Sequence, residues 1–403
     1  MIGILGVIIL LGIAFAMSNN PKKINYRIVF WGMGLQLIFA LFILKTPIGK
    51  PIFGFFDKAI SKLISFSDAG GDFLFRSFIP DIGFDAALVN FAFRALPTII
   101  FFSSLMAVFY HFGIIQFIIK WIAKAMQKTM GTSGSETLSI SANIFVGQTE
   151  APLMVRPFIS TMTKSELMAV MVGGFATVAG GILAIYVQWL TDIPGIAGHL
   201  LAASVMSAPA SLVVAKIIYP ELDKSTTQGD LKINIEKTNS NAMEAIASGA
   251  TDGLKLAANV AGMLVAFISI IAMFNYLLSF ANTSIDQILG LIFQPLAWTM
   301  GVSWEDSSIV GTLMGKKIAF TELIAFGDLR NIIENGQISD RSALIASYAL
   351  CGFANFGSIG IQLGGIGAMA PERKKDLSKL VTKAMIGGAL ASWLTATIAG
   401  LII

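Results

Sequence analysis

The sequence predicts an all-α polytopic membrane protein with eight transmembrane helices, two re-entrant helical hairpins, interfacial helices and an inverted internal repeat. Three observations indicate this fold class. Of the 403 residues, 55% are hydrophobic and 13% are charged, whereas a soluble globular domain has roughly 25% charged residues. Long runs lack Asp, Glu, Lys and Arg altogether, and most of them reach the ~20 residues that a membrane helix needs. Two short motifs also recur, in the same order, in the two halves of the chain.

The charge-free runs locate the predicted spans. These runs cover residues 1–21, 28–44, 167–191, 256–285, 342–371 and 384–403. The predicted spans are residues 2–17, 28–45, 88–112, 166–189, 197–217, 258–281, 342–367 and 382–402. The single cysteine, Cys351, excludes an intrachain disulfide. The net charge of +4 is modest and its basic residues are dispersed, which excludes a nucleic-acid surface.

Residues 114–130 predict an interfacial helix, because Lys120, Lys124 and Lys128 follow one another at four-residue spacing opposite an apolar face. Basic clusters follow the first, third and seventh spans. Since alternate spans return the chain to the same side, all three clusters lie on one face, which the positive-inside rule makes cytoplasmic, with both termini outside. Residues 45–76 disagree, because they fall outside yet carry five basic residues interspersed with aspartates.

Residues 133–162 and 307–334 are too polar to face lipid and too apolar for ordinary loops. At ~1.5 Å per residue, a hairpin leg of about a dozen residues reaches only ~20 Å, short of the ~30 Å hydrocarbon core. Each segment is therefore expected to enter the membrane partway and turn back. Such backbone is tolerated only where protein or a water-filled cavity surrounds it.

The two hairpins and the spans that follow them share motifs. The tip 147–150 (Gly-Gln-Thr-Glu) is answered by 320–322 (Phe-Thr-Glu), and 174–177 (Gly-Phe-Ala-Thr) by 352–355 (Gly-Phe-Ala-Asn). The offsets are 172 residues for Thr-Glu and 178 for Gly-Phe-Ala. Because one span separates the two units, the second starts on the opposite face. This is an inverted repeat, which typically encloses a substrate site near the membrane midplane.

Glu150 and Glu322 are the ionisable residues expected at the hairpin tips. A carboxylate at membrane depth is costly and usually functional, although these two could instead reach water at the mouths of the hairpins. Their oxygens would suit the hydroxyls of a sugar or the N–H groups of a base. Pro152 stands where a new helix would begin, with Thr149 or Glu150 as its cap.

Neutral oxygen donors lie close to the tips in the sequence. Asn143 and Thr177, together with unwound backbone carbonyls, could bind a dehydrated sodium ion, since hard cations take oxygen ligands. Asn355 and Ser358 share one helical face if the seventh span is regular, while neighbouring glycines would let it unwind. Taken singly, Asn143 and Thr177 are more typical of helix packing, whereas the place of Asn355 and Ser358 in the repeat, opposite Thr177, favours the site.

The tip 147–153 (Gly-Gln-Thr-Glu-Ala-Pro-Leu), together with 352–356 (Gly-Phe-Ala-Asn-Phe), resembles the signature of concentrative nucleoside transporters, and the resemblance covers nearly the whole chain. It implies a sodium-driven nucleoside symporter of the inner (plasma) membrane, not an enzyme. It also implies eight spans with two hairpins, a homotrimer, and no cofactor besides sodium as the coupling ion.

The same resemblance implies the site residues. Gln148, Thr149 and Glu150 would recognise the nucleobase, with Ile182 packing beside it. The ribose hydroxyls would be held by Glu322, Asn355 and Ser358. One sodium ion would be bound by the side chains of Asn143 and Thr177 and by backbone oxygens of Val146, Thr177 and Val178.

The implied mechanism is an elevator. A scaffold would comprise residues 1–113, with spans one to three and an interfacial helix, and residues 241–304, with an interfacial helix, span six and an external helix. Two transport repeats, residues 114–240 and 305–403, would move against this scaffold together.

The chain departs from the family pattern at two places. It has Thr321-Glu322-Leu323-Ile324-Ala325 where Asn-Glu-Phe-Val-Ala is common, and Gly357 where serine is frequent. Purine or pyrimidine preference therefore stays open, as does coupling to protons instead of sodium. A transporter of another polar solute such as a nucleobase, a channel, and an intramembrane enzyme are the rival classes. The need for ribose, saturation of the flux, and product analysis would respectively distinguish them.

Overall fold

The computed structural model describes residues 2–75, 91–228 and 239–403, and within these ranges every regular element is a helix. The helices are α1 (Ile2–Ala16), α2 (Tyr26–Lys45), α3 (Gly49–Phe75), α4 (Phe91–His111), α5 (Ile114–Met130), α6 (Gly134–Ala142), α7 (Glu150–Leu153), α8 (Arg156–Ile159), α9 (Lys164–Ala176), α10 (Gly180–Trp189), α11 (Ile196–Ile218), α12 (Ala242–Ser279), α13 (Ile285–Thr299), α14 (Trp304–Ala319), α15 (Glu322–Glu334), α16 (Asp340–Leu350), α17 (Phe356–Met369) and α18 (Lys374–Ile402).

Several of these helices are long and apolar enough to cross a membrane. Within the described residues they are Tyr26–Lys45, Ile196–Ile218, Ala242–Ser279, Pro371–Ile402, which is a short 3₁₀ turn followed by α18, and Lys164–Trp189, which comprises α9 and α10. Leu96–His111 and Ile114–Met130 form a further apolar pair that is bent by 74°. The helices Ile2–Ala16 and Phe356–Met369 are apolar but shorter. The prediction of an all-helical membrane protein with several apolar spans is confirmed.

Helix α9 shows how local sequence starts these helices. The Thr163 side chain accepts a hydrogen bond from the backbone N–H of Glu166 (3.1 Å), and the Glu166 carboxylate accepts one from the N–H of Thr163 (2.8 Å). This reciprocal capping box satisfies two N–H groups that a helix start leaves free. Its apolar run after Glu166 is buried on every side, so α9 is a core helix.

The fourth and seventh predicted spans are each interrupted in the structure, in agreement with the unwinding that the sequence allows in both. The fourth breaks at residues 177–179, between α9 and α10, and the seventh at 351–355, between α16 and α17. The two breaks cross: the N–H of Phe353 donates to the carbonyl oxygen of Thr177 (3.3 Å). Gly352 has φ of +143°, and a Cβ there would come within 2.9 Å of the carbonyl oxygen of Phe175. Glycine is required because no side chain fits between these backbones.

Other boundaries also differ from the prediction. The interfacial helix expected before span six is continuous with it, since α12 runs for 38 residues. The second leg of the first hairpin consists of two short helices, α7 and α8, and Thr149 occupies the N-cap of α7 without a capping side-chain bond. Residues 49–75, for which the charge pattern gave no structure, form α3. Arg76, residues 88–90 at the predicted start of span three, and residues 229–238 lie outside the described residues.

The core is formed by α9, α11 and α18, which are buried along most of their length. Helix α2 packs on this core, and the buried Gln36 Nε2 donates to Thr395 Oγ1 of α18 (3.0 Å). In contrast, α12 contacts α4 and exposes large apolar side chains elsewhere, including Val265, Tyr276 and Leu277. A helix with this much exposed apolar surface suits lipid or another subunit.

A buried ionic cluster ties the first hairpin to the core. The Lys216 ammonium of α11 lies 2.7 Å from the Glu136 carboxylate of α6 and 3.2 Å from that of Glu221, and it donates to Ser165 Oγ of α9 (2.9 Å). The side chains of Lys216 and Glu136 are almost completely buried. Since α6 leads directly to the hairpin tip, this cluster sets the depth of the tip against α9 and α11.

Substituting Lys216→Met is expected to lower the free energy of unfolding by about 3–5 kcal/mol, because it leaves a buried carboxylate without its partner. Lys164→Met is the matched control. Its pair with Asp376 is 3.6 Å long and the lysine side chain is 50% exposed, so about 1 kcal/mol or less is expected. The two variants are compared by measuring how much monodisperse protein each loses on heating in detergent. Equal losses would contradict a stabilising role for the cluster.

Candidate functional site

A cavity of ≈ 550 Å³ lies where the two hairpin tips approach each other, within the range of small-molecule sites. Residues 147–150 and 321–323 form two of its walls. A third wall is formed by Ala179 and Ile182 at the start of α10, together with the break before α17. The long helix α12 closes the remaining side. The cavity is therefore lined by both of the sequence segments that share the Thr-Glu motif.

Glu322 is the first residue of α15, with only 5% of its surface exposed. Its Oε1 accepts a hydrogen bond from the Tyr186 hydroxyl (3.1 Å) and its Oε2 accepts one from Asn355 Nδ2 (2.8 Å). A carboxylate at a helix N-terminus is favoured by the helix dipole. Each oxygen keeps capacity for a further donor, so this buried acceptor can receive hydrogen bonds from a ligand.

Asn355 and Ser358 connect this carboxylate to the first hairpin. Asn355 caps α17, with its Oδ1 accepting from the backbone N–H of Ser358 (2.8 Å) while its Nδ2 holds Glu322. Ser358 Oγ accepts from Gln148 Nε2 (3.2 Å). The structure thus brings the predicted residues Gln148, Glu322, Asn355 and Ser358 into one hydrogen-bonded chain.

The other predicted residues of the first hairpin tip also line the cavity. Glu150 is exposed to it, and Ile182 lines it with 4% of its surface exposed. A Cβ on Gly147 would lie 2.1 Å from Glu150 Oε2, so only glycine lets the carboxylate fold back over the tip. Thr149 packs against Gly365 of α17, where a Cβ would lie 2.7 Å from its methyl group. The tip is therefore fitted closely to α17.

The predicted cation ligands lie on two segments that are in contact. The N–H of Gly180 donates to the carbonyl oxygen of Phe145 (3.2 Å), which places residues 143–146 against the break 177–179. Asn143 is fully buried, and its Nδ2 donates to the carbonyl of Ser139 (3.2 Å). In the described part of the chain its Oδ1 has no hydrogen-bond partner. A buried oxygen of this kind needs a partner, and a cation would supply one.

The remaining predicted cation ligands are Thr177, Val146 and Val178. Thr177 Oγ1 donates to the carbonyl of Gly173 (3.0 Å), which leaves the hydroxyl oxygen able to accept or coordinate. Its own carbonyl oxygen already accepts from Phe353. Val178 is buried and Val146 is partly buried. The donor set consists of neutral oxygens, which suits a monovalent hard cation.

Sequence reasoning missed two buried residues that hold site residues, and one buried lysine that lies outside the cavity lining. Tyr186 holds Glu322 and stacks on Phe326 with ring centroids 3.9 Å apart. Gln362 Nε2 donates to Gln148 Oε1 (3.1 Å). Lys317 is fully buried, and its Nζ donates to the carbonyl of Ala349 (2.8 Å) and to Ser392 Oγ (2.8 Å). Helical spacing was the available signal for the first two, because each lies four residues after a predicted site residue.

Helix α12 adds polar residues to the cavity wall that the sequence did not single out. Asp252, Lys255 and Asn259 line the cavity, and Lys255 Nζ lies 3.6 Å from Asp252 Oδ1. Their spacing places them on one helical face. Charged side chains on an otherwise apolar helix fit a water-filled vestibule better than a lipid contact.

Three family profiles match successive parts of the chain: Na+ dependent nucleoside transporter N-terminus at residues 5–78, nucleoside recognition at 92–191, and Na+ dependent nucleoside transporter C-terminus at 199–400. An uncharacterized transporter of Haemophilus influenzae is 41% identical over 411 residues, covering 99% of this chain and 97% of that protein. Sodium/nucleoside cotransporter 1 of Mus musculus is 39% identical over 420 residues. The match covers 98% of this chain but only 63% of the mouse protein.

Solved structures agree with these matches. A structure of CNTnw in an inward-facing, substrate-bound state has a TM-score of 0.93 and 41% identity, and covers 100% of this chain and 98% of that one. A CNTnw variant in an outward-facing state has a TM-score of 0.91 and 40% identity, covering 100% and 97%. Because identity is high over nearly the full length of both the bacterial protein and CNTnw, this chain belongs to the concentrative nucleoside transporter family and is a multi-pass membrane protein.

Proposed function

We propose that this chain is a secondary active symporter that imports nucleosides across the inner membrane, driven by the sodium gradient. The observation that carries the proposal is the cavity in which Glu322 of the second hairpin and Gln148 of the first are joined through Asn355 and Ser358. A site shared by two inverted halves can open alternately to either side. The existence of inward-facing and outward-facing structures of CNTnw supports alternating access.

The substrate roles follow from the chemistry of the two walls. Glu322, Asn355 and Ser358 provide a carboxylate, an amide and a hydroxyl, which suit the vicinal hydroxyls of a ribose. Gln148, Thr149 and Glu150 offer donors and acceptors to the edge of a base, and Ile182 offers an apolar surface to its face. Support for this division comes from the burial of Glu322 and the exposure of Glu150 to the cavity.

Sodium is proposed to bind between residues 143–146 and the break 177–179. Asn143 Oδ1, Thr177 Oγ1 and the carbonyl oxygens of Val146, Thr177 and Val178 are its proposed ligands. Support comes from the unpartnered, fully buried Oδ1 of Asn143. Because the break in the fourth span also contacts Phe353, an ion there would stabilise the backbone that carries the substrate site.

The finer architecture of the proposal has eight spans and two re-entrant hairpins in an inverted repeat, assembled as a homotrimer. Residues 114–240 and 305–403 are the proposed moving repeats, flanked by 1–113 and 241–304. Within the flanks, α4 and α12 pack on each other and are assigned to the stationary part. Helix α2 is bonded to α18 through Gln36, so we assign it to the moving part. The exposed apolar face of α12 is available for subunit contacts.

Reconstitution into proteoliposomes tests this function. We expect uphill uptake of radiolabelled uridine or adenosine under an inward sodium gradient and none under a proton gradient alone. Protein-free liposomes and a collapsed gradient are the controls. Uptake driven only by protons would remove the sodium site but keep the substrate. Equal uptake of free nucleobases would contradict the ribose contacts, and no nucleoside uptake under any gradient would contradict the proposed function.

A further inference from the structure

Gln362 lies behind the cavity wall on α17 and is fully buried. Its Nε2 donates two hydrogen bonds, to the backbone carbonyl of Met171 on α9 (3.1 Å) and to Gln148 Oε1 at the hairpin tip (3.1 Å). A Cβ on Gly174 would come within 2.7 Å of this nitrogen, so the absence of a side chain there creates its space. Gln362 thus joins α17, α9 and the first hairpin at one point.

These contacts fix the orientation of two side-chain amides, first that of Gln362 and then that of Gln148. A backbone carbonyl can only accept, so the Gln362 atom facing Met171 must be the nitrogen. Because that nitrogen also faces Gln148, the atom of Gln148 that meets it must be the oxygen. Gln148 Nε2 then points the other way, to Ser358 Oγ (3.2 Å). Ser358 could not set this orientation itself, since a hydroxyl both donates and accepts.

The fixed orientation determines what the site presents to a ligand. Gln148 uses one N–H on Ser358 and keeps the second, while its oxygen is engaged by Gln362. Ser358 accepts from Gln148, so its own O–H remains a donor. Both residues therefore offer donors to the cavity. A base edge that meets the free N–H of Gln148 must present an acceptor, because a donor placed against that N–H would be left unpaired.

We propose that Gln362 is a positioning residue for specificity, which sets the hydrogen-bond polarity of Gln148 and so selects nucleosides whose base presents an acceptor to the first hairpin. This inference rests on the proposed nucleoside transport. Its consequence is that specificity is held partly by a residue that does not line the cavity. Removing the Gln362 amide frees Gln148 to rotate and serve donor and acceptor edges alike.

Two pairs of substrates test the hydrogen-bond polarity of Gln148. Uridine and cytidine exchange acceptor and donor on the pyrimidine edge, and inosine and adenosine do the same on the purine edge. The wild type is expected to favour one member of at least one pair. In Gln362→Met, the ratio of kcat/KM between the two members of that pair is expected to fall about tenfold toward one. The change is expected in KM, with kcat little changed. Gln362→Leu repeats the test if the first variant is not monodisperse.

Two controls isolate the effect. Gln337→Met makes the same chemical change at an exposed position and should leave both ratios as in the wild type. In a Gln148→Leu background, Gln362→Met should change the ratios no further, because the proposed action passes through Gln148. An equal fall for all four nucleosides, additive effects, or a wild type that discriminates within neither pair would overturn the proposal. A wild type that transports no nucleoside at all would overturn the proposed function itself, and this inference with it.

Discussion

Substituting Glu322→Gln is expected to lower kcat/KM for uridine at least about 100-fold, since two charge-assisted hydrogen bonds to ribose hydroxyls would be weakened. The amide of a glutamine at position 322 would also be poorly matched to its hydrogen-bond partners. The Tyr186 hydroxyl and Asn355 Nδ2 both donate to the carboxylate, so the NH₂ end of a glutamine would face one of these donors. Uptake of uridine into proteoliposomes under a fixed sodium gradient measures the loss.

A ribose analogue and a surface variant serve as controls for this prediction. Uptake of 2′,3′-dideoxyuridine should already be weak in the wild type and should fall little further in Glu322→Gln. Glu334→Gln, at the exposed far end of the same helix, should transport uridine normally. If uridine and dideoxyuridine lost transport by the same factor, the carboxylate would be acting on the fold or on the conformational cycle and not on the ribose.

Substituting Asn143→Leu is expected to abolish sodium-driven accumulation of uridine. Leucine has a similar volume but removes the fully buried oxygen that has no partner among the described residues. Sodium at 100 times its dissociation constant stabilises a protein by roughly 2.7 kcal/mol, so the wild type should gain thermal stability with sodium while the variant should not. Uptake and thermal stability are measured as the sodium concentration is raised at constant ionic strength.

The thermal measurement separates ion binding from damage to the hairpin. Asn331→Leu, at an exposed position on α15, should keep the sodium response of both assays. Asn143→Leu should retain monodisperse behaviour without sodium, because its Nδ2 makes only a bond to its own helix. Unchanged stabilisation by sodium in Asn143→Leu would place the ion elsewhere.

These two predictions concern residues on either side of the point where the breaks in the fourth and seventh spans meet. The fourth span breaks beside Asn143, the seventh breaks beside Asn355, and the two breaks are bonded through Phe353 and Thr177. Asn355 in turn holds Glu322. An ion that orders the first break would therefore favour the arrangement of the second, which gives a physical route for coupling sodium to substrate.

Much of the helix plan could be predicted from the sequence. The runs at 28–45, 197–217 and 382–402 correspond to α2, α11 and α18, because long apolar segments bounded by charges or proline have few alternatives in a membrane. The helix predicted at 114–130 has the observed bounds of α5, with Lys120 and Lys124 exposed. The helix was predicted from its amphipathic pattern, and in the structure a glycine with positive φ stands at each end of it.

The sequence by itself determined which residues are too polar for their place in the chain, namely Glu150, Glu322, Asn143 and Asn355, because the cost of a polar group in an apolar run depends on its neighbours in sequence. Only the tertiary structure decided how they are paired. The breaks at 177–179 and 351–355 form where two backbones cross, and the orientation of Gln148 is set by Gln362, 214 residues away. Such contacts join distant segments, and neither helical periodicity nor local propensity encodes them.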